Sequence, residues 1–264
     1  MRLTTPARSL RGIDTWGGWI RLVSGLAAVF ALFHWSAAAL GSDRGQAGVA
    51  VGGLIVAAVC AVERLLFGVP FRALVPALGL GAPERRGLVA AGAICLLMLL
   101  SVPVFAWAAG EAPAFYPGGL WLLPGLFAQA GVAEEVLFRG FLFGHLRRGR
   151  SFWRAALLSM LPFVAVHLLL FATMPWPIAA AAPLLAVIVA FPLARLYELG
   201  GASIWAPALL HFVIQGTVKI VVFPEASSLR FAVLWMAISA VVPMVVFVMP
   251  RGPRDDAQLD RGSR

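Results

Sequence analysis

Runs of about 20 mainly apolar residues, the length that carries a helix across a hydrocarbon core, recur eight times along this chain. Divided at charged and Pro/Gly-rich breaks, they cover roughly 19–40, 47–68, 87–108, 120–142, 152–171, 177–198, 202–222 and 229–249. The fold this dictates is all-α: a polytopic transmembrane helical bundle of about eight spans. Composition agrees, with 61% hydrophobic and only 12% charged residues, where a soluble chain is nearer half apolar and a quarter charged. Eighteen Phe and nine Trp are equally foreign to a disordered chain. The first run follows Arg2, Arg8 and Arg11 and ends near Ala37-Ala38-Ala39, which imitates a secretory signal. Its apolar stretch exceeds the signal core of about 7–15 residues, so it is expected to remain as a span.

The net charge of +9 does not point to nucleic acid, because the basic residues, all Arg except Lys219, lie mostly between apolar runs or on the tails. Positive loops stay on the cytoplasmic side. Sixteen bases fall on one alternating set of connections: the N-terminal tail, 63–87, 143–154, Arg195 and the C-terminal tail. The opposite set holds only Arg44, Lys219 and Arg230. Both termini are therefore expected to be cytoplasmic, in agreement with an even number of spans. Segment 1–119 then supplies three helices, 120–222 the part with chemistry, 223–250 a last span and 251–264 a polar cytoplasmic tail. Cys60 and Cys95 lie inside apolar runs and read as small buried hydrophobes.

An ionisable residue deep in a span marks a functional site by default, because its insertion costs several kcal/mol. Of twelve acidic residues, only Glu134 and Glu135 lie well inside a run; Glu63, Glu111, Glu198 and Glu225 fall in loops or at span ends. Arg139 shares the helix of the first two, while neighbouring spans supply His167 and His211. Residues four apart share a helical face and neighbours diverge by about 100°, so Glu135 pairs with Arg139 as a structural ion pair. Glu134 is left without a dedicated cation, as a general acid or base must be. Counting 1.5 Å per residue puts Glu134 and His211 level at ~13 Å, with His167 about two turns deeper. Gln215 follows His211 by one turn and offers an amide beside the imidazole. His34 and His145 are weaker candidates, the latter read as solvated or in contact with headgroups beside Arg147 and Arg148. No G-x-S-x-G elbow and no H-E-x-x-H zinc helix occur.

Glu134-Glu135-Val136-Leu137-Phe138-Arg139 resembles the E-E-x-x-x-R motif of the CPBP intramembrane proteases, the CAAX prenyl endopeptidase and bacteriocin-processing (ABI) family. Phe163 to His167 resembles its F-x-x-x-H motif, and His211 to Gln215, preceded by Ser203 to Pro207, its H-x-x-x-N/D motif. The likeness covers about 120–222. It implies an integral membrane endopeptidase acting on a peptide or membrane-protein substrate. Glu134 would activate water with help from His167, while His211 and the residue at 215 would stabilise the oxyanion. The family has also been described as metal-dependent, and zinc held by Glu134, His167 and His211 is the alternative; a metal-free glutamate mechanism, with no cofactor, is favoured. Gln215 departs from the motif by one methylene. The Ala- and Arg-rich composition suggests a bacterial plasma membrane, so a prenylated substrate is not favoured over bacteriocin or membrane-peptide processing. Two readings compete: a non-catalytic scaffold or self-immunity protein of the same fold, and a proton-coupled transporter using the Glu/His cluster as a relay.

Overall fold

The computed structural model describes residues 13–42, 44–172 and 176–249. The basic N-terminal tail and the expected polar tail 251–264 lie outside them. Eight principal helices follow in order: α1 Trp16–Ala39, α2 Gly48–Leu66, α3 Arg85–Ala109, α4 Gly119–Arg147, α5 Phe152–Ala172, α6 Trp176–Leu199, α7 Trp205–Ile220 and α8 Glu225–Phe247. A short helix, Phe71–Ala77, joins α2 to α3. All-α architecture is thus the fold of the chain. Its small exception is a two-residue antiparallel ribbon, β1 Ala114–Phe115 against β2 Val221–Val222.

Seven of these helices are long and apolar enough to cross a membrane. The remaining one, α7, occupies the expected 202–222 run but is helical for only 16 residues. Its last turn gives way to β2, which pairs with the segment leading into α4. Ten of its residues are buried, so this helix lies inside the bundle with little surface left for lipid.

Small residues set how closely the site helices approach. A Cβ on Gly48 would lie 2.1 Å from the Gly125 carbonyl oxygen, and one on Gly52 would lie 2.6 Å from that of Ala128. Only glycine permits such backbone contact, as is common where helices associate in lipid. These contacts, with Glu63 against His145 further along, run α2 parallel to α4. Gly131 meets the Ala208 backbone and Gly119 meets Ile220, which runs α7 antiparallel to α4. Within α4, Phe127–Ala133 and Val136–Phe143 wind as wide π-helical turns. Such turns are rare and favour functional sites, and here they flank Glu134 and Glu135.

The same contacts sort the connections into two ends. At one end, Glu84 meets Gly200, Gly140 meets Leu78 and Arg147 bonds Glu198. The basic segments 63–87 and 143–154 therefore gather there together with Arg195. At the other end Arg44 lies over the Tyr116 ring and donates to the Lys219 carbonyl. Exposed Trp16 and Trp153 stand toward the basic end, and Trp35, Trp107, Trp121 and Trp176 toward the other. Two tryptophan belts around an apolar surface are the signature of a bilayer-spanning body.

Candidate active site

The site forms where α4 and α7 cross, with α5 closing one side. Glu135 is fully buried, and its Oε1 accepts from Arg139 Nη1 at 3.0 Å and from His211 Nδ1 at 2.6 Å. The expected ion pair is therefore present, yet it is only half of what Glu135 does. A carboxylate held by a guanidinium has only lone pairs to offer, so the proton of His211 sits on Nδ1 and Nε2 faces the other way. That nitrogen lies 2.9 Å from Gln215 Nε2 and 3.6 Å from Glu134 Oε2. Gln215 Nε2 also reaches Glu134 Oε1 at 3.3 Å. Glu134, expected to lack a dedicated cation, is partnered by an amide and an imidazole.

Access separates the two carboxylates. The Glu134 side chain is 19% exposed, whereas that of Glu135 is 0% exposed. Glu134 and His211 stand side by side as the depth count required, although α4 runs on to Arg147 and so buries Glu134 further along its helix than expected.

His167 reaches the cluster through Phe163. Its Nδ1 lies 2.7 Å from the Phe163 carbonyl; a carbonyl only accepts, so Nδ1 is protonated and Nε2 carries the lone pair. His167 is close enough to Glu134, His211 and Arg139 to interact with their charges. The Phe163 ring lies 5.0 Å from the His167 ring and 6.1 Å from that of His211, and the Arg139 guanidinium sits 4.4 Å above it. This ring touches three polar members of the cluster and keeps them apart. In the sequence Phe163 is only a letter of the F-x-x-x-H motif; its place four residues before His167, on the same face, is the signal it offers.

His145 is the correction. It is buried rather than solvated, and its Nε2 lies 2.8 Å from Glu63 Oε1. Phe67 covers its ring at 4.1 Å, and Arg148 approaches Nδ1 at 3.3 Å. Glu63 ends α2 only in sequence; in space the C-terminal turn of α4 covers it. His34 joins none of these clusters; its ring stacks with Phe30, 6.4 Å away in its own helix.

A zinc ion on Glu134, His167 and His211 would need a lone pair from each. Among the described residues no three His, Cys, Asp or Glu side chains are grouped so as to hold a metal. The Nε2 of His211 is turned to the Gln215 amide. The donor set does not fit zinc in this arrangement.

Residues 116–217, which contain every member of the cluster, match the family model of the type II CAAX prenyl endopeptidase, Rce1-like. Over this segment the chain is similar to the Rce1-like family. The match begins just before α4 and ends in the last turn of α7, so the Rce1-like region coincides with the helices that build the site. No curated protein and no solved structure matches the chain.

Proposed function

We propose that this Rce1-like chain is an intramembrane endopeptidase of the CAAX type that hydrolyses a peptide bond with a glutamate-activated water. One observation carries the reading: of two adjacent carboxylates, Glu135 is sealed and spent on Arg139 and His211, while Glu134 is partly open and faces a histidine and an amide. A base needs access to water and a partner that tolerates its change of charge; only Glu134 has both.

In the proposed cycle Glu134 removes a proton from water and the resulting hydroxide attacks the scissile carbonyl. His167, with its Nε2 lone pair directed away from its own backbone bond, orients that water beside Glu134. The oxyanion is held by the Gln215 amide, beside which the His211 ring is fixed by its Nδ1 bond to Glu135. Fixed donors aimed at developing charge supply the largest share of such catalysis. Glu134 then returns the proton to the leaving amine, which closes the balance without a covalent enzyme intermediate. Glu135 and Arg139 take no part in the proton traffic; they hold the His211 ring.

The basic end is assigned to the cytoplasm by its arginines, and the chain to a bacterial plasma membrane. The substrate class is a peptide or membrane-protein segment, with bacteriocin or membrane-peptide processing ahead of prenylated protein. The test compares N- and C-terminal peptides from membranes of cells producing wild type or Glu134→Gln at matched abundance. New termini that require Glu134 support a protease and name its substrates. Identical termini, with the biological phenotype of the chain intact in the variant, favour instead a binding or immunity role for the same cavity.

A further inference from the structure

The amide of Gln215 is fully engaged before any substrate arrives. Its nitrogen has two hydrogens and faces two acceptors: Glu134 Oε1 at 3.3 Å and His211 Nε2 at 2.9 Å. The orientation follows from proton counting. With Nδ1 of His211 donating to Glu135, the neutral ring offers a lone pair at Nε2, and an ionised Glu134 offers lone pairs only. Turning the amide over would set its oxygen against both acceptors. The backbone beneath it is fixed, since the adjoining Ile214 carbonyl accepts from Trp235 Nε1 at 2.9 Å and Gly216 packs against the Phe212 ring. Any movement of this amide is therefore a rotation of the side chain alone.

One oxygen of the base is thus covered, and the other is turned toward His211. A water poised for attack and the Gln215 amide compete for the same carboxylate. We propose that Gln215 is a built-in cap on Glu134, closed at rest and released as the reaction charges the oxyanion. The inference rests on the protease reading given above. Release follows the charge: a hydrogen bond to an ionised acceptor is about twice as strong as one between neutral groups. When Glu134 takes the proton from water, its hold on the amide weakens, and the negative charge now lies on the tetrahedral oxygen. The same donor moves there. Glutamine is the residue type that allows this, because it carries its amide about 1.5 Å further along the side chain than asparagine. From this backbone position an asparagine would serve the oxyanion but fall short of Glu134.

The test reads the cap without requiring turnover. Full-length protein in proteoliposomes is treated with a hydrophobic carbodiimide, which labels accessible, protonatable carboxyls in membranes, and the adduct on Glu134 is quantified by mass spectrometry. Glu134 labelling is expected to rise about ten- to a hundredfold in Gln215→Asn, the equivalent of losing one charge-assisted hydrogen bond, and by a similar factor in Gln215→Ala. Cleavage, followed by the same terminal-peptide profiling, separates the two variants: it rises in Gln215→Asn, which keeps the amide donor for the oxyanion, and falls in Gln215→Ala, which loses it. Labelling that stays at the wild-type level in both variants, with their thermal unfolding unchanged, overturns the cap. Labelling that rises in both while none of the three proteins generates new termini upholds the cap and refutes the protease reading instead.

Discussion

Helix α4 contributes to two glutamate–histidine clusters, one around Glu134, Glu135 and His211 and one joining His145 to Glu63. The residue types are the same and the surroundings are opposite. At the basic end, Glu63 and His145 are 0% and 1% exposed, and aromatic rings from Phe67 and Phe141 enclose the imidazole. Arg148 adds a second contact at His145 Nδ1, but neither side chain has a side open to water. At the centre, Glu134 retains an open side and shares its neighbours with an amide that has two places to bond. A pair sealed from water fixes two helices; a half-open carboxylate with exchangeable partners can pass a proton. Access and redundancy, more than the identity of the side chains, separate a clamp from a working site. In both clusters one carboxylate oxygen, Glu63 Oε2 and Glu135 Oε2, is buried without a hydrogen-bond partner, which shows that burial of a glutamate alone does not distinguish them.

The sharpest way to break this comparison is to neutralise one glutamate from each cluster. Glu134→Gln is expected to lower cleavage by about 10²–10⁴ with thermal unfolding in detergent close to wild type; an equal loss of folding would place Glu134 among the clamps. Truncating the other pair should do the reverse. Glu63→Ala leaves His145 buried without its carboxylate and is expected to cost about 3–5 kcal/mol of stability, read as a lowered melting temperature, while the residual folded fraction keeps its specific activity. The double change Glu63→Leu with His145→Phe should recover most of that loss, because hydrophobic replacement of a whole buried pair is often neutral. Glu135→Gln falls between the two: it loosens both Arg139 and His211, so cleavage is expected to drop about 10–100-fold together with a measurable fall in melting temperature. The smallest effect is expected from Phe163→Leu, which keeps bulk but removes the ring beneath Arg139 and between the histidines. A cation–π contact of about 0.5–2 kcal/mol translates into a several-fold loss of rate with unchanged substrate affinity.

Apolar length alone reveals most of the fold, since each expected run holds a helix and only α7 comes out short. The reason lies outside its own residues: the turn into β2 is fixed by pairing with Ala114 and Phe115, more than a hundred positions earlier. The central cluster was legible because five of its members lie on two helices at spacings that place them on one face. What the local pattern could not show was which partner each group chooses. Glu135 and Arg139 are four apart and were paired correctly, whereas the bond from Glu135 to His211 spans 76 positions. His145 was misread for the same reason. Its sequence neighbours are arginines, and its true partner is 82 residues away. The wide turns of α4 carry no composition signal either, although small residues in and beside them, Gly125, Gly131 and Gly140, meet the backbones of α2, α7 and Leu78.

The glycine contact between α2 and α4 also bears on how the chain is made. With a mean hydropathy of 1.2, α4 is the least apolar of the seven long helices, against 2.1 for α2, and it carries Glu134, Glu135 and Arg139 into the bilayer. A helix loaded with three ionisable side chains is a poor candidate to leave the translocation channel alone. During synthesis α2 emerges first, and its Gly48 and Gly52, with Gly45 just before it, form a groove into which the backbone of α4 fits at Gly125 and Ala128. On this geometry the earlier helix offers the later one a seat within the same molecule, and filling that groove with a single methyl group is expected to lower the yield of inserted protein before any question of catalysis arises.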